Sequence, residues 1–328
     1  MIDPSFIFNN DLSFREKALS VFKYQFENNE VYQRFCKALG ETDPLTLTQI
    51  PLIPVEAFRE AEMYIPDASA EADLEFRSSG TTGMKRSRHK VKDAEIYHMS
   101  ILKGFETFYD VQDPVLLAYT PGYSDNPQSS LIYMLDHLIS HDESGWSRFL
   151  DLNESLNRKE VDKISGSGRT MILFGAAFGL LDLLERGDCK LPEDSIIIET
   201  GGMKTHRREM SREDLHSALA EGFGVPEVQV HSEYGMTELL SQAYSQGDEW
   251  FKAVPWMQIS IRDPYNPLKK ADPGDEGLIG IIDLANVYSC AFILTGDRGV
   301  QRPDGSFRVL GRWNPSDLRG CNFLIDRD

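Results

Sequence analysis

The sequence predicts an α/β fold, and three observations carry that prediction. Apolar runs of strand length recur beyond residue 73: "VLLAY" at 115–119, "MILFG" at 171–175, "SIIIET" at 195–200 and "VQVHS" at 228–232. Each gives way to small or polar residues, and an amphipathic stretch, "SREDLHSALAEGFG", separates the last two. Near-continuous apolar strands alternating with such helices form a sheet covered on both faces, because neither side of the strands meets water. Ligands of these sheets collect at the carboxyl ends of the strands, where the polar turns fall.

Taken in order, the chain begins with a helical lobe. "SFRE" at 13–16 has the form of a capping box, and Phe14, Leu19, Phe22, Phe26, Val31, Phe35 and Leu39 approximate helical spacing. Pro44, Pro51 and Pro54 then interrupt regular structure. The apolar stretch from Thr170 to Leu181 is too short to span a bilayer and reads as a buried segment. Ser211 and Gly224 have the form of a helix cap and stop around Leu215, Ala218, Leu219 and Phe223. From Gly277 to Val309 the pattern is β-like, with "RPDGS" at 302–306 as a turn between two short strands. The expected organisation is a helical lobe over 1–65, an α/β core over 66–276, and a β-rich end over 277–328.

Composition bounds the partners. With 34 Lys+Arg against 52 Asp+Glu, the formal charge is −18, which argues against a duplex nucleic-acid partner because affinity there rests on neutralising phosphates. The four cysteines, Cys36, Cys189, Cys290 and Cys321, include no Cys-x-x-Cys pair; neither a zinc site nor a disulfide framework is suggested, and free thiols fit the cytoplasm. The start, "MIDPSFIFNND", lacks the features of a signal peptide, and no segment is long enough for a membrane span.

Against that acidity, "FRSSGTTGMKRSRHK" at 76–90 sets a Gly/Ser/Thr loop before Lys85, Arg86, Arg88, His89 and Lys90. Backbone N–H groups and hydroxyls in such a loop suit phosphate oxygens, and neighbouring cations offset the repulsion from an acidic surface. The plainer reading is a turn followed by a solvated basic face. It is not a Walker loop, since no Gly-Lys-Ser/Thr follows Gly80 at the required spacing.

Four stretches in order resolve the choice: "SSGTTG" at 78–83, "TGGMK" at 200–204, "EYGMTE" at 233–238, and "TGDRG" with "LGR" at 295–299 and 310–312. From about Pro51 onward the chain resembles the adenylate-forming superfamily of acyl-CoA synthetases, adenylation domains and luciferases, which implies the fold of that family's large N-terminal domain and activation of a carboxylic acid by ATP and Mg²⁺. The resemblance implies that Ser78, Ser79, Gly80, Thr81, Thr82 and Gly83 hold the β- and γ-phosphates. Gly201 and Gly202 would let an adenine ring lie on bare backbone, with Tyr234 and Gly235 beside it. Thr237 would bond the α-phosphate, Glu238 would hold Mg²⁺, Asp297 would accept the ribose hydroxyls, and Arg312 would lie near ribose and phosphate. His231 either lines the acyl site or is a hydrogen-bonded structural histidine. Phe174, Phe178 and Met236 are apolar candidates near the pocket.

Two departures narrow the resemblance. The usual Gly-x-Pro-Lys continuation is replaced by Met84-Lys85, with no proline and the lysine one place early. The chain also ends sixteen residues after Arg312, so the family's mobile C-terminal domain and its catalytic lysine are expected to be absent; Lys204 is the candidate cation in its place. "IPLIPVEAFR" at 50–59, "HSEYGMTELLSQAY" at 231–244 and "GRWNPSDLRGCNF" at 311–323 are similar to the LuxE-type acyl-protein synthetases, which adenylate a fatty acid, transfer it to a cysteine near the C-terminus and pass it to a reductase. Cys321 stands at the corresponding place. The alternatives are delivery of an aryl or short-chain acyl group to a carrier protein or CoA, and a nucleotide-binding protein that has lost catalysis.

Overall fold

The computed structural model describes residues 3–66, 71–78, 85–120, 126–187, 190–201 and 210–313. The lobe opens with α1 (Pro4–Phe8), capped by Asp3, and α2 (Phe14–Asn28), where Ser13 and Glu16 form the expected capping box. The helical period does not continue as one rod to Leu39. Asn29 leaves helical geometry, ends α2 and caps α3 (Glu30–Leu39) by accepting from the Tyr32 N–H at 3.0 Å, after which Gly40 closes the helix at φ 75°. This is side-chain capping competing with helix propagation.

The main sheet is built from β4 (Val115–Tyr119), β5 (Arg148–Phe149), β6 (Met171–Ala176), β7 (Ile196–Thr200), β8 (Val230–Tyr234), β9 (Ala243–Gln246) and β10 (Lys252–Ala253), in the order β10-β9-β8-β7-β6-β4-β5. Strands β4 to β8 are parallel, and β9 and β10 run antiparallel at one edge. All four apolar runs are strands, but β8 begins at Val230, because Glu227–Gln229 make a 3-10 turn after Pro226. Alternate residues face opposite cores. Leu116, Ala118, Ile172 and Phe174 point to α5 (Ala94–Phe108) and α6 (Ser130–Ser140). Val115, Leu117, Met171 and Leu173 point to α7 (Arg158–Gly166), α8 (Ala177–Arg186) and α9 (Arg212–Phe223), the last held between the Ser211 cap and Gly224 at φ 76°. Burial on both sides is why these strands carry no apolar–polar alternation.

A second sheet contains β1 (Ile53–Pro54), β11 (Met257–Arg262), β12 (Gly277–Asp283), β13 (Phe292–Gln301) and β14 (Phe307–Arg312), ordered β1-β13-β12-β11 with β14 also on β13. It draws β1 and β11 from outside 277–328, so its strands do not follow the divisions drawn along the sequence. Residues 302–306 turn β13 into β14 as expected. The helical lobe is fixed to this sheet by buried amides: Gln25 donates to the Asn286 and Val287 carbonyls at 2.8 and 2.9 Å and accepts from the Ala291 N–H at 3.0 Å, and Asn29 donates to the Ser289 carbonyl at 2.8 Å. Two shorter elements complete the frame. Helix α4 (Ala57–Glu60) precedes the hairpin β2 (Leu74–Arg77) and β3 (Arg88–Val91), whose connection carries the Gly/Ser/Thr stretch.

Candidate active site at the strand ends

Parallel β7 and β8 end side by side, with Thr200 in register opposite Glu233. Gly201 follows β7 at φ 88°, a left-handed conformation that favours glycine, and a side chain there would meet nothing within 4 Å, so the reason for glycine is conformational. The Thr200 hydroxyl donates to Glu233 Oε2. At Gly235 the reason is space: a Cβ would come within 2.4 Å of Glu233 Oε1.

Tyr234 joins the two sheets. Its hydroxyl donates to Asp297 Oδ2 at 2.8 Å, while its ring meets Phe251 and Phe307 edge-on, with centroids 6.0 and 5.6 Å away. The other carboxylate oxygen of Asp297 lies 3.0 Å from Arg312 Nε, the two residues being paired across β13 and β14. Arg312 is largely exposed, so this pair adds little stability, and its significance is positional.

The turn after Tyr234 is anchored through its backbone. Buried His89 meets the Thr237 carbonyl at 2.8 Å through Nδ1 and the Ser289 hydroxyl at 2.9 Å through Nε2. A carbonyl only accepts, so Nδ1 carries the proton. Burial pushes the imidazole down to about 4, which keeps it neutral. Asn286 donates to the Glu238 carbonyl at 2.7 Å, and Asp283 accepts from the Leu240 N–H at 2.9 Å and the Ser241 hydroxyl at 2.6 Å. The backbone is thus satisfied from behind, and Thr237 is presented forward.

In front lies a cavity of about 520 Å³, lined by Thr200, Gly201, Glu233, Gly235, Met236 and Thr237 and faced by Ser78, Arg86 and Tyr97. The structure therefore brings together Ser78, Gly201, Gly235 and Thr237, with the Tyr234–Asp297–Arg312 group bonded behind the same turn. Ser78 closes the base of the hairpin loop: its Oγ accepts from the Ser87 N–H at 3.0 Å, and its own N–H donates to the Ser87 carbonyl at 3.2 Å. Glu238 is not part of the cavity wall. Only 7% exposed, its carboxyl lies toward the Ser87 hydroxyl, and burial raises it above the usual carboxylate range. Ser79, Gly80, Thr81, Thr82, Gly83, Gly202, Lys204 and Cys321 lie outside the described residues.

Three cations of the basic run have acidic neighbours, two of which they share with Arg59 and Arg77. Lys85 lies 3.4 Å from Glu60, Arg88 lies 2.8 Å from Glu75, and Lys90 pairs with Glu62. His231 is buried, bonded to the Val228 carbonyl at 3.2 Å and the Tyr109 hydroxyl at 3.4 Å, and does not line the cavity. Phe174 is fully buried in the core, whereas Met236 lines the cavity.

Sequence reasoning missed His89, Glu233 and Asn286. Glu233 stands inside the quoted motif, but its burial was not readable. Desolvation, reinforced by neighbouring Glu199, pushes its carboxyl up to about 7 from the ordinary 4.5. A raised carboxyl favours the folded state while it is protonated. Its contribution is fully present below about 4.5 and is lost as pH rises through about 7, amounting to about 3 kcal/mol at most. Glu233→Gln, which keeps an acceptor for Thr200, is expected to flatten the decline in thermal midpoint between about pH 5 and 8; circular dichroism melts across that range check it, and an unchanged decline rejects the assignment.

The fold has the form of the N-terminal domain of adenylate-forming enzymes. The chain aligns with an open conformation of 2-hydroxyisobutyryl-CoA ligase in complex with 2-HIB-AMP and CoA at a TM-score of 0.65 and 12% identity, covering 95% of this chain and 79% of that one. ATP-bound MatB from Rhodopseudomonas palustris aligns at 0.53 and 18% identity, over 76% and 50% of the two chains. The family described as acyl-protein synthetase, LuxE, matches residues 131–328. Two curated relatives, long-chain-fatty-acid–luciferin-component ligases of Vibrio harveyi and Aliivibrio fischeri, are 24% and 21% identical, over 92% and 96% of this chain and 84% and 88% of theirs. The chain belongs to the acyl-protein synthetase, LuxE, family, and is an enzyme of the ligase type.

Proposed function

We propose that this protein uses ATP to convert a fatty acid to an acyl adenylate and then transfers the acyl group to a protein cysteine, Cys321, from which an acyl-accepting partner protein such as a reductase draws it. The observation that supports this best is that Ser78, Gly201, Gly235 and Thr237, motif residues far apart in the sequence, line one cavity, while Tyr234, between two of its wall residues in sequence, is bonded to Asp297 and through it to Arg312.

The carboxylate oxygen attacks the α-phosphorus, and the bond to the bridging oxygen of the pyrophosphate breaks with its electrons leaving on pyrophosphate. Thr237, presented by its anchored backbone, donates to an α-phosphate oxygen, and Lys204 supplies positive charge there. Ser78 and the stretch it opens, Ser79 to Gly83, hold the departing phosphates. Gly201 and Gly202 leave a flat backbone surface for adenine beside Tyr234, and Asp297 accepts from the ribose hydroxyls with Arg312 next to it.

The residue that would hold Mg²⁺ is Glu238. Among the described residues no group of three or more His, Cys, Asp or Glu is arranged to hold a metal, which fits an ion bound by one carboxylate and otherwise by phosphate and water oxygens. A carboxyl raised by burial beside the loop base is also one that a cation would relieve. When bound, Mg²⁺ neutralises charge on the triphosphate. Among the described residues no helix is long and apolar enough to cross a membrane. A cytoplasmic setting is part of the proposal, supported by the free thiols of Cys36 and Cys290.

Acid-dependent ATP–pyrophosphate exchange over a panel of fatty, aryl and short-chain acids tests the reading. Exchange with fatty acids is expected, and none with any acid rejects it. Within that assay, Asp297→Ala is expected to weaken ATP binding by about 1–3 kcal/mol through lost charged hydrogen bonds. A change confined to turnover, with ATP affinity intact, would move Asp297 away from the ribose.

A further inference from the structure

Acyl transfer to a thiol needs a proton acceptor, whereas adenylation does not. In adenylation a carboxylate attacks phosphorus and pyrophosphate departs, with no proton to place. In transfer the attacking sulfur starts as a thiol, mostly protonated at neutral pH, and only the thiolate is a good nucleophile. The group that takes this proton has to face the space where the adenylate forms. Among the described residues of the cavity wall, the charged or titratable side chains are Arg77, Arg86, Tyr97 and Glu233. Arginine stays protonated in proteins, and burial pushes the Tyr97 phenol further up, so neither type accepts a proton near neutrality. Glu233 is the one that can. Buried His89 sits behind the Thr237 turn, and neither it nor His231 lines the cavity.

The strand register puts Glu233 there and keeps it unpaired. On β7 and β8, Thr200 stands opposite Glu233 and Glu199 opposite Ser232, so the two carboxyls take opposite faces of the sheet. Glu199 turns toward α9, where Arg212 and His216 each lie 3.7 Å from it. Glu233 turns toward the cavity. Besides Glu199, the ionisable groups that bear on it are Tyr97 of α5, Tyr109 just beyond that helix and Tyr244 of β9; among the described residues no cation lies within ion-pair distance. Its Oε2 accepts from the Thr200 hydroxyl, and its Oε1 lies against Gly235, whose missing side chain leaves the room. Among the described residues only Oε2 has a hydrogen-bond partner, which leaves Oε1 to exchange a proton. With Glu233 only 8% exposed and Glu199 nearby, its carboxyl is pushed up to about 7 and populates both forms at neutral pH.

We infer that Glu233 is the general base of acyl transfer, taking the proton from the attacking cysteine thiol. The inference rests on the adenylation reading above and concerns the half-reaction that follows it. Glu233 Oε1 binds the S–H proton as the sulfur bonds to the carbonyl carbon; the bond from that carbon to the phosphate oxygen breaks, and AMP leaves with the electron pair. The products are a thioester, AMP and a protonated Glu233, which returns its proton to solvent. A base that titrates near the working pH suits this step, being ionised often enough to accept the proton and basic enough to draw it. The hydrogen bond from Thr200 to the other oxygen holds the carboxyl in place while this happens.

Single-turnover transfer from acyl adenylate formed on the full chain, measured beside ATP–pyrophosphate exchange, tests this. Glu233→Gln, which keeps an acceptor for Thr200, is expected to slow transfer about 100-fold or more, and the loss in transfer should exceed any loss in exchange by about 30-fold. Wild-type transfer should rise as pH increases through about 7, because the carboxylate is the active form, and that inflection should be missing in Glu233→Gln. Hydroxylamine, a neutral amine that attacks the adenylate without a base, should trap it in both proteins. Added formate should restore transfer to Glu233→Ala and do nothing for wild type. If the wild type forms adenylate without labelling itself, transfer to added N-acetylcysteamine is measured in the same way. Transfer and exchange lost by the same factor in Glu233→Gln, or a pH inflection that survives the substitution, overturns the inference and leaves adenylation standing. A wild type that exchanges with no acid overturns the function and the inference together.

Discussion

Glu238→Gln is expected to abolish most ATP–pyrophosphate exchange while leaving the protein folded. The backbone at this position does not depend on the carboxyl, since its carbonyl is held by Asn286 at 2.7 Å and the next residue's N–H by Asp283 at 2.9 Å. The side chain itself is 7% exposed and its carboxyl is raised by burial, so a neutral amide of the same shape removes a desolvation cost and keeps an oxygen to accept from the Ser87 hydroxyl. The loss falls on function. An amide oxygen is a weaker ligand for a hard cation than a carboxylate oxygen, and several kcal/mol of charge stabilisation depend on the ion; about 3 kcal/mol corresponds to roughly a hundredfold in rate. Titrating Mg²⁺ separates the causes. The variant should require more Mg²⁺ than wild type and melt no lower. Full exchange at limiting Mg²⁺ would show that Glu238 is not the metal residue.

How much of this was legible beforehand depends on the range of the interaction. Local signals read true: the Ser13–Glu16 capping box, the Ser211 cap with its Gly224 stop, and the turn at 302–306 all involve atoms within a few residues of each other. The break at Asn29 was also local, but an asparagine within an otherwise good helical period gives no sign of whether its side chain will cap. Asp297 and Arg312 were singled out separately, and only β13–β14 pairing shows that they touch. Long-range positioning was invisible. His89 reads as one more member of a basic run, yet it is fully buried and holds the carbonyl of Thr237, 148 positions away. Nor does the sequence distinguish Lys85 from Arg86, because which of two adjacent cations faces the cavity is set by the registration of β2 on β3 and by Glu60 on a different element.

The other large effect concerns the acyl acceptor. Incubation with ATP, Mg²⁺ and labelled fatty acid is expected to give a hydroxylamine-sensitive acyl-protein, and Cys321→Ser is expected to lose it entirely while still exchanging pyrophosphate. The reaction needs a thiolate whose sulfur attacks the carbonyl carbon of the mixed anhydride, with the carbon–oxygen bond to phosphate breaking and AMP leaving. Two of the four cysteines are poor candidates on structural grounds. Cys36 and Cys290 are fully buried, and burial pushes their thiols up to about 11 and about 12, where almost no thiolate exists at neutral pH. That leaves Cys189 and Cys321. Cys189 is preceded by an aspartate, "GDC", which opposes ionisation, whereas Cys321 follows Arg319 and Gly320 in "LRGCNFL", where a neighbouring cation favours the thiolate and a glycine gives the backbone freedom to approach an adenylate. Cys321 is therefore the proposed acceptor. Label that persists on Cys189 in the Cys321→Ser variant would move the assignment there, and a wild type that makes adenylate but never labels itself would favour delivery of the acyl group to a separate carrier thiol or CoA.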